Sequence, residues 1–354
     1  MPVTAAAREP VRADPTSLRY ADGIRIVAVL AVVGVHASGM AVVRYAALPA
    51  VQWWIANVID SACRWAVPVF VMLSGALLLD PARHTSWAEF YGKRLRRIGV
   101  PLVVWTAFYL AWAFAFLGEP VTPDWVAEKL YQGLTYNHLY FLFLILGLYA
   151  VTPLLRIAIG ARGGSAEWTI AAVTLGLAAF GVLQDRIPSN ALTLFVPYIG
   201  YYVVGHVLAA RPISRRATAF ATAAFAVATG VIATGTASRL ARWGIADWRA
   251  LGLYDYLGPA VMIQSIAAFA VLRAVFSHEG RGPIARVTKQ LSVAVFGIYL
   301  VHRVPLDVLH RYLASLLVTR AFEVITLEVV FAYAVSAVVV LAMLRVPLLR
   351  HTVG

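Results

Sequence analysis

The run Ile24 to Val43, I-R-I-V-A-V-L-A-V-V-G-V-H-A-S-G-M-A-V-V, decides the fold. At about 1.5 Å per residue it makes a helix about 30 Å long, the thickness of a bilayer's hydrocarbon core. Two of its side chains can carry charge, Arg25 and His36. At about 100° per residue their separation is three turns plus about 20°, so they share a face, about 16 Å apart along the axis. With Arg25 at one membrane surface, His36 falls near mid-bilayer, where an ionisable group is costly and usually lines a site or pathway. The plainer alternative is a histidine hydrogen-bonded inside a helix bundle, with Arg25 as an interfacial anchor.

The rest of the chain repeats this pattern. Of 354 residues, 61% are hydrophobic and 13% charged, which excludes a soluble domain of this size. Ten apolar segments can be marked, at 24–44, 51–79, 98–118, 138–158, 167–184, 191–210, 217–236, 257–275, 290–310 and 322–345. The expected fold class is therefore all-α, a polytopic integral membrane protein of about ten transmembrane helices. With both termini cytoplasmic, Lys and Arg are roughly twice as abundant in the inner loops and tails as outside, as the positive-inside rule requires. Much of the net charge of +13 belongs to those loops. Residues 1–21 read as a disordered cytoplasmic tail and 346–354 as a second one. A single cysteine, Cys63, rules out a disulfide framework. No histidine pair has metal-ligand spacing, and neither a phosphate-binding glycine loop nor a serine-nucleophile elbow is present.

Segment two is longer than a straight span needs, and Pro68 supplies an expected breaking point. Asp60 and Arg64, four apart, could neutralise one another. Ser74-Gly75 near its end suits close helix packing, or approach by an acyl chain. The basic run Lys93-Arg94-Leu95-Arg96-Arg97 would fix topology and meet anionic lipid. Its sharper reading is a phosphate clamp, with Arg94 and Arg97 on one face of an entering helix. His138 stands at the outer mouth of segment four, and His302 in segment nine. His206, close to Arg211, reads as interfacial, and His310 and His351 receive no role. The loop 237–256 alternates Trp243, Trp248, Tyr254 and Tyr256 with acids and arginines, a membrane belt or a weak sugar cradle.

Taken together these stretches resemble the integral-membrane acyltransferase 3 family. The resemblance rests on Asp22-Gly23 and Arg25 followed by His36, P-V-F-V-M-L-S-G-A-L-L-L, K-R-L-R-R-I-G-V-P, N-H-L-Y-F-L-F with T-P-L-L, and S-V-A-V-F-G-I-Y-L-V-H, in that order. The pattern I-A-N-V-I-D-S-A-C-R-W-A-V-P and the block L-Y-D-Y-L-G-P-A-V-M make it most similar to compact O-acetyltransferase members, such as that of enterobacterial common antigen. Tyr140 departs from the tryptophan often found there. The resemblance implies an acyltransferase 3 domain over 22–345, in a bacterial plasma membrane. The implied activity moves an acyl group, usually acetyl from acetyl-CoA, to a hydroxyl of a surface polysaccharide or its lipid-linked precursor. It implies His36 and Arg25 as catalytic residues, and Arg94, Arg97 and Ser74 on the donor side. No metal is called for. Acyl transfer needs a base for the hydroxyl proton, and His36 alone in segment one can serve near neutral pH. The pantetheine arm of the donor is then expected to thread along segment one from Arg25 to His36. His138, His302, Arg64 and Trp248 are weaker candidates for holding the acceptor, and His138 and His302 also for relaying the proton. The rival class is a transporter or flippase using the same charged residues as a path.

Overall fold

The structure, a computed structural model, describes residues 20–81, 86–162, 164–184, 190–277 and 283–354. Among these there are helices and no strands. The first half holds α1 (Tyr20–Val42), α2 (Ala50–Cys63), α3 (Ala66–Leu78), α4 (Trp87–Arg94), α5 (Val100–Trp112), α6 (Pro123–Gln132) and α7 (Tyr140–Arg162). There follow α8 (Gly164–Leu183), α9 (Ile199–Ala209), α10 (Arg215–Trp243) and α11 (Pro259–Phe276). The chain closes with α12 (Pro283–Val301), α13 (Arg303–Leu313), α14 (Leu317–Met343) and α15 (Arg350–Val353). Eight stretches are long and apolar enough to cross a membrane, and two shorter apolar helices, Val196–Ala209 and Thr288–Val301, fall at segments six and nine. The protein is an all-helical, multi-pass membrane protein.

Helix α1 is the axis of the bundle. It packs on α2, α3, α11, α12 and α14, and Ile24, Ala28, Val29 and Val33 are fully buried. Helices α8 and α10 sit at the rim with large apolar side chains such as Phe180, Phe220 and Val227 exposed, as lipid-facing surfaces require. The closest crossing joins α3 and α9. A Cβ on Gly75 would lie 1.7 Å from the Tyr202 carbonyl oxygen, and one on Gly205 would lie 1.9 Å from that of Met72. Two glycines thus let two backbones touch, the use small residues find in membranes.

Three prolines place the breaks, each displaced toward the N-terminus. Segment two breaks at Arg64-Trp65 rather than at Pro68 itself. Pro68 has no N–H for the Arg64 carbonyl, so the ladder fails four residues upstream, and the proline is then accommodated in the first turn of α3. Segment nine is likewise two helices and not one span. Pro305 cannot donate to Val301, and α12 ends there with His302 in the joint. Upstream of Pro101 the α4–α5 helix takes a π-helical turn over Leu95–Gly99, within the basic run. Segment ten begins earlier than expected, at Leu317, with a kink at Arg320 (φ −140°, ψ 47°).

The expected tail 1–21 falls almost wholly outside the described residues. Residues 346–351 are exposed, but the end of this segment is anchored: Val353 is fully buried, and the Trp105 indole donates to the Thr352 carbonyl at 2.8 Å.

Candidate active site

The site is assembled by the break after α12. A helix end leaves its last carbonyls without intrahelical donors, and side chains take them up here. Tyr109 donates its hydroxyl to the Leu300 carbonyl at 2.6 Å, and His138 Nε2 meets the same oxygen at 3.3 Å. His302 Nδ1 donates to the Tyr299 carbonyl at 2.7 Å, and Tyr299 donates to the His138 carbonyl. His138 and His302 are thereby fixed, both essentially inaccessible. In the neutral rings the proton is spent on those carbonyls, so His138 Nδ1 and His302 Nε2 remain as lone pairs; both are buried and without a partner among the described residues.

His36 of α1 completes the group. Its ring centre lies 5.2 Å from that of His302 and 6.4 Å from that of His138, and the latter two are 5.0 Å apart. Three histidines far apart in sequence therefore meet at one place. Tyr299 packs beside His138 and His302 at 5.5 and 5.9 Å, and Phe141 packs on Tyr299 at 5.5 Å.

Two cavities approach this cluster from opposite sides. The larger, about 1090 Å³, carries Arg25, Lys93, Arg94, Arg96, Arg97 and Lys289 against the acids Asp22 and Glu89. Its apolar depth is lined by Phe70, Leu73, Ser74, Phe141, Ile145 and Tyr299. Arg25 is held at its mouth by Asp22 at 2.8 Å, and Ser292 donates to the same carboxylate at 2.6 Å. The Arg94 guanidinium lies 5.4 Å from the Tyr149 ring centre, its Nε buried without a partner among the described residues. Helix α1 lends this cavity only Asp22 and Arg25; its middle is packed into the core. The open line from Arg25 toward the histidines therefore runs between α3, α7 and α12, and not along α1 as the spacing suggested. It stops at Phe141 and Tyr299.

The smaller cavity, about 310 Å³, is lined by His36 together with Arg303, Asp307, His310 and Glu328. No residue lines both cavities. Asp307 pairs with Arg303 at 2.6 Å and accepts from Tyr136 and, at 3.2 Å, from the Trp112 indole. Burial and then the Asp307 charge push the Tyr136 phenol up, so it stays protonated as a donor. His310 meets Glu328 at 3.3 Å.

Of the residues singled out from sequence, Arg25, Arg94, Arg97 and Ser74 line the large cavity, while His36, His138 and His302 converge beyond it. Ser74 and Gly75 part company: the serine hydroxyl donates to the Phe70 carbonyl at 2.9 Å at the cavity wall, and the glycine faces α9. Arg64 lies apart from both cavities. It pairs with the fully buried Asp60 and stacks 4.0 Å from the Tyr254 ring centre. The side chain of Trp248 lies outside the described residues. His206, read as interfacial beside Arg211, pairs with Glu167 at 3.4 Å. Tyr299, Arg303, Asp307 and Glu328 were not singled out as site residues in the sequence; of the two histidines given no role, His351 lines the large cavity and His310 the small one. The i, i+4 spacing of Arg303 and Asp307 was the one local signal that could have found a pair there.

A family model described as an acyltransferase domain matches residues 18–345, nearly the whole chain. No curated protein and no solved structure matches it.

Proposed function

The chain belongs to the acyltransferase 3 family, and from that premise we propose that this membrane acyltransferase is an O-acyltransferase using acetyl-CoA. Its acceptor in this reading is a hydroxyl of a cell-surface polysaccharide or of its lipid-linked precursor. The membrane is the bacterial plasma membrane, with both termini and the large cavity's mouth on the cytoplasmic side.

The residues of the large cavity fit such a donor. A nucleotide thioester carries phosphates, and Arg94, Arg97 and Lys93 offer the excess of cation these require, with the Arg94 Nε lacking a partner among the described residues. At about 1090 Å³ the cavity is at the upper end for a bound small molecule. Its apolar depth suits the uncharged arm, which lies along Ser74 and Leu73 and brings its acyl end to Phe141 and Tyr299. Those rings exclude water from the thioester, which would otherwise hydrolyse.

His36 is the base. The acceptor hydroxyl gives its proton to the imidazole, its oxygen bonds to the acyl carbon, the carbon–sulfur bond breaks, and the proton passes to the departing thiolate. His138 and His302, each held by a backbone carbonyl, keep their rings in place around it. The observation that carries the reading is the meeting of these three histidines beyond a cavity walled by arginines. Membranes carrying His36→Gln, at wild-type protein level, should not transfer label from acetyl-CoA to glycan. Normal transfer by that variant ends the assignment.

A further inference from the structure

We propose that the smaller cavity seats the acyl acceptor as a single uncharged, hydroxyl-rich ring, one neutral sugar residue; this rests on the acyltransferase reading above. His36 lines this cavity and not the large one. A base must touch the hydroxyl it deprotonates. The acceptor is therefore on the His36 side of the Tyr299–Phe141 layer, and the donor enters from the other, its acyl end passing between the two rings to meet the acceptor hydroxyl.

The charges select the class. In the large cavity six cations stand against two acids. In the small one Arg303 and Arg311 are matched by Asp307 and Glu328, leaving no excess charge to draw an ionic ligand. What remains are alternating donors and acceptors. Arg303 is 7% exposed, and its Nε is buried with no partner among the described residues. Glu328, 1% exposed, gives one carboxylate oxygen to His310 and keeps acceptor capacity on the other. Paired hydroxyls, each able to donate and accept, satisfy both kinds of group. Met40, Leu117 and Phe116 add apolar lining, Phe116 stacked on Trp112 at 4.4 Å with the Arg311 guanidinium 5.2 Å from its ring centre, and so held rigid. A few fixed polar groups among apolar side chains orient a ring that has a polar edge and a C–H face. The volume of about 310 Å³ is at the small end for a ligand site, which limits the occupant to one ring with the remainder of a chain outside.

The test uses the full-length protein in detergent with acetyl-CoA, reading CoA release above the level without acceptor. The probes are methyl glycosides of a neutral hexose, of glucuronic acid and of glucosamine. The neutral glycoside should stimulate release and the charged ones should not. Glu328→Gln and Phe116→Ala should each raise the acceptor KM about tenfold, as loss of one well-placed contact does, with the acetyl-CoA KM unchanged. Phe116 is at the rim, so its variant remains informative if Glu328→Gln folds poorly. Preference for a charged glycoside, or a wild-type acceptor KM in Phe116→Ala and in any folded Glu328→Gln, overturns the inference. Labelling of cell glycan without response to any glycoside also overturns it while the acyltransferase reading survives. Neither labelling nor release from the wild-type protein defeats both.

Discussion

Replacing Gly75 with alanine tests whether the Ser-Gly pair is one functional unit or two neighbours with separate tasks. The added Cβ would lie 1.7 Å from the Tyr202 carbonyl oxygen and 2.6 Å from its carbon, where real contacts stay beyond 3.0 Å. Helices α3 and α9 must then separate by at least about 1.3 Å. A gap of 0.5–1 Å already forfeits about a quarter to a half of the dispersion between facing atoms. The crossing also joins α3 to the α9 face that carries Tyr201 and Tyr202, both fully buried. Overpacking of this kind costs about 1–3 kcal/mol, and a clash with backbone on both sides belongs at the top of that range. Cys63, the protein's single cysteine, packs against Gly34 between α1 and α2 and reports unfolding through a thiol-reactive fluorophore. Gly75→Ala should lower the midpoint by about 4 °C or more. Gly205→Ala should do the same, and the double variant should fall well short of the sum, because one separation relieves both clashes. Ser74→Ala, by contrast, should leave the midpoint alone and weaken donor binding. An unchanged midpoint in Gly75→Ala, or strict additivity in the double variant, would refute the reasoning.

Arg94→Lys keeps the charge but loses the planar group beside Tyr149 and Phe90, and should raise the acetyl-CoA KM about five- to tenfold with kcat little changed; kinetics at varied donor concentration decide it. Asp307→Asn removes one partner of a pair whose side chains are 8% and 7% exposed, and should destabilise by about 3–5 kcal/mol. Changing Arg303 and Asp307 together to Met and Leu should cost less, which thermal unfolding would show. Asp247, its side chain 21% exposed, is held down to about 2 by its hydrogen bonds from Arg249. Its contribution is present above the unfolded carboxylate value and lost only as pH falls toward 2. Asp247→Asn lacks that contribution, so its stability difference from wild type should be constant from pH 5 to pH 8 and shrink only below about pH 4.

Much of the helical layout could be read in the chain because membrane spans announce themselves by length and composition. The α1 stretch is the plainest case. Its face-sharing Arg25 and His36 follow from helical period, and both line cavities. What the period could not say is that α1 buries its own middle, so the two residues look into different cavities. The Pro68 break was legible in kind and misplaced in position, since a missing N–H acts on the carbonyl four residues earlier, while the break before Pro305 was not marked. Convergence of His36, His138 and His302 depends on how α1, α7 and α12 dock, and nothing local to any of the three encodes it. The His310–Glu328 pair likewise needs α13 to fold back on α14.

The layer formed by Tyr299 and Phe141 has a consequence for the membrane as well as for the chemistry. Each cavity is bordered by exposed charged side chains, Lys93 and Arg96 at one and Arg311 at the other, so each is wetted from its own face. Were they joined, the protein would be a pore, and ions would run down their gradients through it. On the acyltransferase reading proposed above, the aromatic bulkhead holds the two cavities apart, and the acyl group alone has to pass it.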